Sequence, residues 1–151
     1  MLAIVETDQA STLIRQAVFH WQQIRGSEGV PSRYLLDPLD IAPLLPNTEL
    51  IDVIDGGSDF RYRLIGDAII RNALDHYLGK LVSEIPTQRP PSQIYALYQE
   101  TVRRRRPVSA RLPYVGSSKL VRDLEIATLP LSTETSLVGV LWSVVVPNEL
   151  G

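Results

Sequence analysis

The stretch ELIDVIDGGSDFRYRLIG, from Glu49 to Gly66, decides the fold because it has the pattern of a β-hairpin. Its first half is rich in apolar and β-branched residues, which favour a strand. The dipeptide Gly56-Gly57 follows, and glycine accepts the positive φ angles that a tight reversal needs. Next, Phe60, Tyr62 and Leu64 alternate with arginines, so we expect these three to share one face of the sheet. The pattern predicts a hairpin with one buried face and one largely wet face.

Length and composition predict one soluble globular domain. The chain has 151 residues, of which 44% are apolar and 21% charged. No apolar run approaches the roughly 20 residues that span a bilayer. The first residues lack the basic region and long apolar core of a secretory signal. We therefore expect a cytoplasmic protein that does not enter a membrane.

Two features of the composition exclude classes of function. The chain has no cysteine, which rules out disulfides, thiolate catalysis and cysteine-ligated zinc. The formal net charge of −2 provides no general attraction to nucleic acid. Two histidines without a ligand-like spacing predict no metal site, and no recognisable motif predicts catalytic residues.

The N-terminal segment predicts an amphipathic helix. Between Asp8 and Arg25, apolar residues recur at spacings of three and four, and Gly26 follows as a stop signal. The apolar stripe can either pack on its own domain or pair with a second copy of the chain. Under the second interpretation the partner-binding residues are Leu13, Ile14, Ala17 and Trp21. This predicts an N-terminal helix over residues 1–26, a main domain over 27–147 and a tail over 148–151.

The remaining chain predicts several helices followed by strands. Short helices should follow the hairpin over 68–74 and 78–85, and Pro90-Pro91-Ser92 should begin a longer one. Three strands are expected over 108–115, 119–131 and 136–146, and the last is almost continuously apolar, as in a central strand. The predicted fold is α+β, with a five-stranded antiparallel sheet and its helices on one face.

This order of elements, with helices between the second and third strands, resembles the PAS domain family of sensory modules. Shorter segments are similar to a bacterial branch of that family that often occurs as a stand-alone domain. The similarity extends over residues 21–146, and its most specific part is FRYRLIG together with the LLP segment before it. The segments that carry it are WQQIRG (21–26), PSR (31–33), DP (37–38), LLP (44–46), FRYRLIG (60–66) and LGK (78–80).

The resemblance implies a cavity between sheet and helices that binds a small ligand, and a surface that pairs with another domain or a second copy. It specifies no particular ligand or cofactor. The asparagine-cysteine motif of flavin photosensors is absent, and His76 is the only histidine near the position of a haem ligand in haem-binding relatives. We expect a sensory or regulatory module, not an enzyme, that forms a homodimer and signals through protein contacts.

An apolar set with a few polar tips is predicted to line the cavity. The same residues could equally fill a core, which would favour a ligand-free dimerisation adaptor. A small pocket enzyme of the cystatin-like or ketosteroid-isomerase type would instead need an inward carboxylate with a raised pKa, at Asp52 or Asp67. The strand pattern, however, turns Asp52 outward. The predicted ligand-binding residues are Tyr62, Leu64, Ile69, Leu74, Leu78, Tyr95, Tyr98, Ile126 and Trp142.

The charged clusters have structural interpretations. Aspartates around the hairpin turn are favoured turn formers. Arg61 and Arg63 should pair across strands with Asp52 or with later carboxylates, or else bind an anion. The run from Arg103 to Arg106 lies where cations interact favourably with the C-terminal end of a helix dipole, and a phosphate-rich partner is the alternative.

Overall fold

A computed structural model describes residues 2–27 and 29–150. In this part of the chain, helices pack on an open, antiparallel sheet of six strands. Short 3₁₀ segments, including Ala42–Asn47 and Val82–Glu84, connect the longer elements. The elements are β1 (Ala3–Ile4), α1 (Thr12–Arg25), β2 (Thr48–Ile54), β3 (Asp59–Ile65), α2 (Asp67–Asn72), α3 (Gln93–Arg104), β4 (Val108–Pro113), β5 (Val121–Leu131) and β6 (Val140–Glu149).

The strand order is β1-β4-β5-β6-β2-β3. The β2–β3 hairpin is present, and the apolar strand β6 lies between β5 and β2, as its composition indicated. The prediction of five strands was wrong because Ala3 and Ile4 pair with Arg111 and Ala110 of β4. A two-residue strand is too short to show an alternating pattern.

The sheet is covered on both faces. Along β5, Ala127 and Leu129 pack with α1, whereas Ile126 and Thr128 point to the opposite face, where α3 lies. The Thr128 hydroxyl forms a hydrogen bond with that of Thr101 in α3. The expectation of helices on one face and a wet opposite face was therefore wrong for the centre of the sheet. The alternation was visible in the sequence, but α1 provides an apolar cover for the second face.

The apolar stripe of α1 packs on this sheet. Ile14, Ala17 and Trp21 are buried, and Leu13 is partly buried beside them. The indole Nε1 of Trp21 donates a hydrogen bond of 2.8 Å to the carbonyl oxygen of Pro130. In the structure, the apolar stripe therefore packs on its own domain, which is the first of the two interpretations. These four residues are consequently not available as a partner-binding surface while α1 stays in place.

The β2–β3 hairpin contains a bulge that changes which residues share a face. Leu50 pairs with Leu64, but Ile51 pairs with Tyr62, so Arg63 is an extra residue in β3. One extra residue reverses the alternation beyond it. Leu64 therefore does not share the face of Tyr62, as the sequence pattern predicted, and Ile65 packs in the cluster of Tyr62 instead. Leu64 is 41% exposed.

The hairpin is fastened to the segment before it through Gly66. A Cβ atom at this position would lie 2.4 Å from the carbonyl oxygens of Leu45 and Pro46, so only glycine fits without a shift. The Gly66 amide also donates a hydrogen bond of 2.8 Å to the Thr48 carbonyl oxygen. The FRYRLIG and LLP segments, which carry the most specific part of the resemblance, thus meet in space.

Charged side chains hold the exposed parts of the fold. Arg63 forms an ion pair of 2.8 Å with Asp52, as expected for a cross-strand partner. At the end of α3, Arg103 and Arg104 pair with Glu100 on the preceding turn. Arg105 adopts a left-handed conformation with φ of 57° and ends the helix. Part of the arginine run therefore has a structural role at the helix terminus.

Candidate functional site

A cavity of about 400 Å³ lies between the sheet and the helices of one face. Its floor takes residues from all of the five longer strands. The described floor residues include Glu49 of β2, Tyr62 of β3, Leu112 of β4, Ile126 of β5 and Val145 of β6.

Helices and loops form the walls of the cavity. Ile69 and Asn72 come from α2, Tyr98 comes from α3, and Tyr77 and Gln88 come from the segment between these helices. The two helices are connected by 20 residues that contain only a short 3₁₀ segment, Val82–Glu84. The lining is mainly apolar and aromatic, with a few polar groups, which is the usual composition of a small-molecule site.

Glu49 is the most unusual residue of the cavity. It is only 6% exposed and lines the cavity floor. Burial, which disfavours the charged form, raises its pKa from 4.5 to about 7. Ser143, directly opposite on β6, lowers the pKa of Glu49, but by a smaller amount. The Ser143 hydroxyl has no regular hydrogen bond among the described residues. A substantial fraction of Glu49 is therefore protonated at neutral pH.

A chain of hydrogen bonds lies beside Glu49. The Tyr62 hydroxyl donates to Gln88 Oε1 at 2.5 Å and lies 3.0 Å from the Tyr98 hydroxyl. Because the proton of Tyr62 is used on Gln88, Tyr98 acts as the donor between the two phenols. Burial raises the pKa of both tyrosines well above 10, and the nearby Glu49 carboxylate raises it further. Both phenols are consequently neutral around pH 7.

Two further tyrosines complete the aromatic lining. The ring of Tyr77 stacks against Tyr62, with 6.2 Å between ring centroids. The Tyr114 hydroxyl donates a hydrogen bond of 2.6 Å to the backbone carbonyl oxygen of Asn72, which ties the end of α2 to the chain after β4. The cavity thus has rings on several sides and a single acidic group on its floor.

The structure brings together four of the nine predicted ligand-binding residues: Tyr62, Ile69, Tyr98 and Ile126 line the cavity. The other five do not line it, for reasons that differ between them.

The bulge at Arg63 displaces Leu64 from the predicted face. Trp142 faces α1 because its neighbours on β6 take the alternate positions on the cavity face. Leu74 and Leu78 are about half exposed in the connecting segment. Tyr95 instead donates a hydrogen bond of 2.8 Å to the Ser58 carbonyl oxygen at the hairpin turn.

The sequence analysis missed Glu49, although the signal was present. Ile51 faces the buried side of β2, and a residue two positions earlier on a strand lies on the same face. The inward carboxylate was sought at Asp52 and Asp67. Asp52 instead pairs with Arg63 on the outside, and Asp67 is exposed at the start of α2. Tyr77 and Gln88 lie in a segment without periodicity, so no pattern indicated them.

No group of three or more His, Cys, Asp or Glu side chains is arranged to hold a metal ion within residues 2–27 and 29–150. His76 is exposed in the connecting segment, and its imidazole does not line the cavity. Among the helices of the described chain, none is long and apolar enough to cross a membrane.

No protein-family model matches the chain, and neither curated proteins nor solved structures gave a match. The structural class of the protein is therefore defined from its fold and its cavity alone. It is an α+β domain in which an open antiparallel sheet forms the floor of a ligand-sized, tyrosine-lined cavity.

Proposed function

We propose that this protein is a PAS-like sensory or regulatory domain that binds a small molecule in the cavity and signals by contact with another protein or a second copy. The observation that carries the proposal is the cavity of about 400 Å³ with a buried carboxyl group and neutral phenols on its surface. Pockets for small molecules commonly have volumes of about 300 to 1,000 Å³ and a few convergent polar groups.

The position of the cavity adds support. The resemblance to PAS domains implied a ligand site between the sheet and the helices that follow the hairpin. The cavity lies on that side of the sheet, and α2 and α3, which flank it, belong to the segment between β3 and β4. A filled core, which the ligand-free adaptor hypothesis requires, would leave no such space.

Strand β6 offers a route for the signal. Val145 lines the cavity, whereas its neighbours Val144 and Trp142 pack beneath α1 on the opposite face. A ligand that favours one packing of the cavity wall would shift the population of conformations of the strand. That shift reaches α1 directly because the two surfaces share one strand. The exposed side of α1 then presents the change to a partner.

Native mass spectrometry of the purified protein, compared with the same sample after denaturation, tests the proposal. We expect a defined additional mass on the native protein that is released on denaturation. The same spectrum reports whether the protein is a monomer or a homodimer. A native protein without additional mass, together with no change in thermal unfolding on addition of a metabolite library, would contradict ligand binding and favour the adaptor.

A variant that occupies the cavity provides the control. Ala73 lines the cavity, so Ala73→Trp should abolish the additional mass and any ligand-induced shift in melting temperature. Ala96 is exposed on α3 and does not line the cavity, so Ala96→Trp should leave both unchanged. Equal effects of the two substitutions would locate the ligand elsewhere.

A proton-transfer enzyme is a second candidate because such an enzyme requires an inward carboxylate with a raised pKa, and Glu49 has both properties. A carboxylate with a pKa of about 7 is suited to act as a general base. An enzyme would convert the bound molecule, and Glu49→Gln would abolish turnover while retaining binding. Recovery of an unchanged ligand after prolonged incubation would exclude this candidate for that ligand.

A further inference from the structure

The charge of the cavity lining limits what can bind there. Glu49 is the single formally charged residue among the described residues that line it. No salt bridge connects its carboxylate to a lysine, arginine or histidine in residues 2–27 and 29–150. The groups that face it are the hydroxyls of Tyr62 on β3, Tyr98 on α3 and Ser143 on β6. A buried carboxylate therefore lacks a protein counter-ion.

The cationic side chains of β3 are committed elsewhere, and Arg71 and Arg89, which adjoin lining residues in the sequence, do not themselves line the cavity. Arg63 pairs with Asp52 on the outside of the hairpin, and Arg61 donates to the Gly79 carbonyl oxygen at 2.8 Å. An anionic ligand would thus meet a negative or protonated carboxyl group without a compensating cation, which makes anion binding in this cavity unfavourable.

The rings of the lining favour a positive charge. Tyr62, Tyr77, Tyr98 and Tyr114 all line the cavity. The face of a tyrosine ring attracts a cation within about 6 Å, and the attraction increases when water is excluded. The apolar remainder of the lining, including Ile69 and Ile126, suits an uncharged hydrocarbon or aromatic body.

We infer that the cavity binds a small organic cation with an apolar body, whose positive nitrogen pairs with the Glu49 carboxylate between the tyrosine rings. This inference rests on the proposed function and specifies its ligand class. The ligand supplies the counter-ion that the protein lacks, so that one contact provides both affinity and selection by charge.

Binding should depend on pH in a defined direction. A bound cation favours the ionised form of Glu49, so the complex holds this proton less tightly than the free protein does. For a cation whose own charge does not change with pH, the affinity should be constant well above pH 7. Below pH 7 the affinity should decrease, with a slope that approaches a tenfold loss per pH unit. The reason is that the free protein is then increasingly protonated at Glu49.

Three probes that share a phenyl ring and differ in charge test the charge preference. They are benzyltrimethylammonium, a permanent cation; benzyl alcohol, which is neutral; and benzoate, an anion. Their dissociation constants are measured by ligand-observed NMR titration with the wild-type protein and with Glu49→Gln and Asp52→Asn. Asp52 lies on the same strand outside the cavity, so Asp52→Asn is the matched control.

We expect the ammonium probe to bind the wild type more tightly than the other two probes. Glu49→Gln should weaken the binding of this probe by about tenfold to a hundredfold, because it removes the ion pair between the carboxylate and the quaternary nitrogen, which has no N–H to donate. The same change should leave benzyl alcohol within about twofold, and Asp52→Asn should leave all three unchanged.

Three failures are distinguishable. If benzyl alcohol or benzoate binds in the cavity, with loss of binding in Ala73→Trp, and the ammonium probe binds no better, the ligand class is wrong but the binding function stands. If no probe binds the wild-type protein and its native mass spectrum also shows no additional mass, both the proposed function and this inference are overturned. Ammonium binding that is insensitive to Glu49→Gln contradicts the role of this carboxylate.

Discussion

At the scale of the residue, the ionised form of Glu49 carries an electrostatic cost. An ionised carboxylate in an apolar cavity loses much of its hydration, and the described residues provide it with hydroxyl groups but no cation. The free protein therefore carries a local destabilisation that depends on pH. Such a position is tolerated where a bound molecule compensates for it, which is consistent with the proposed cation site.

Glu49→Gln should change the pH dependence of stability. The native pKa is raised from 4.5 to about 7, so the folded state binds more protons than the unfolded state in this interval. Wild-type stability should therefore fall as the pH rises from about 4.5 to about 7, by roughly 3 kcal/mol from this group. Glutamine removes this contribution. We expect the variant to be more stable than the wild type above pH 7 and nearly equal to it near pH 4.

Urea unfolding at several pH values measures this difference. Asp52→Asn is again the control, because Asp52 is outside the cavity and paired with Arg63. A constant difference between Glu49→Gln and the wild type at all pH values would show that Glu49 does not titrate between 4.5 and 7 in the folded protein.

The faces of individual residues were only partly predictable. The alternation of β2 contained the inward position of Glu49, since Ile51 faces inward and the two are separated by two positions. The outward position of Leu64 could not be read from the same rule. It depends on an extra residue in β3, and a bulge leaves no signature in an alternating pattern of this length.

For the elements, α1 shows that a correctly predicted helix can leave its packing surface open between two alternatives. Its stripe is clear in the sequence, but periodicity alone does not identify the surface against which a stripe packs. The sheet, through Leu129 and Trp142, provides that surface. The helix is also fixed at its start, where the backbone amide of Ser11 donates a hydrogen bond of 2.6 Å to Glu125 Oε1 on β5.

Ile14→Ala should reduce the stability of the domain. Ile14 is fully buried between α1 and the sheet, so its truncation leaves a cavity and should lower the free energy of unfolding by about 2 to 5 kcal/mol. Denaturant unfolding measures the loss. Phe19 is 60% exposed on the same helix, and Phe19→Ala should cost less than about 1 kcal/mol.

The predicted dimer would respond differently. If α1 left the sheet and paired with a second copy, Ile14→Ala would lower the average molecular mass measured by light scattering, most strongly at low protein concentration. A substitution that changed the oligomeric state but not the unfolding of the monomer would reject the packing of α1 on its own sheet.

Elements with a clear apolar pattern were predicted, although their limits were not always correct. The presence of α1, α3 and the strands β2 to β6 follows from apolar periodicity and from caps such as Ser92, whose hydroxyl accepts a hydrogen bond from the Tyr95 amide. The last strand, predicted over 136–146, is Val140–Glu149. The short strand β1 shows no alternation, and the segment 73–92 does not form the helix predicted over 78–85, apart from the 3₁₀ segment Val82–Glu84. The structure of this segment depends on tertiary contacts, such as the hydrogen bond of 2.8 Å that the Gly79 amide donates to the Tyr62 carbonyl oxygen. The walls of the cavity come largely from that segment.

At the scale of the whole molecule, the sheet separates two packed compartments and belongs to both. The cavity lies on one face and α1 on the other, with β5 and β6 contributing residues to each. Binding in the cavity should therefore alter the dynamics of both sides, because the strands cannot move independently of α1.

Hydrogen–deuterium exchange measures this coupling. On addition of benzyltrimethylammonium, we expect slower amide exchange in residues 67–77 and 87–94, which form the cavity walls, and also in α1. The short elements of the walls depend on tertiary packing, so they should exchange fastest in the free protein. Exchange changes restricted to the cavity walls would contradict transmission through β6. Glu49→Gln, with the same probe, is expected to show neither change.

The bulge in β3 has a consequence for the gene that encodes this chain. Arg63 is exposed, and its side chain contributes an ion pair with Asp52, so many codon replacements at this position would be tolerated. An in-frame loss of the codon is a different event. Because Arg63 is the extra residue of the bulge, its loss would let Leu64 follow Tyr62 in a regular ladder, with Leu64 still outward, Ile65 still inward and Gly66 still beside the carbonyl oxygens that it approaches. The reading frame and the register of the hairpin would both survive, and the loss would be the bulge and the ion pair with Asp52.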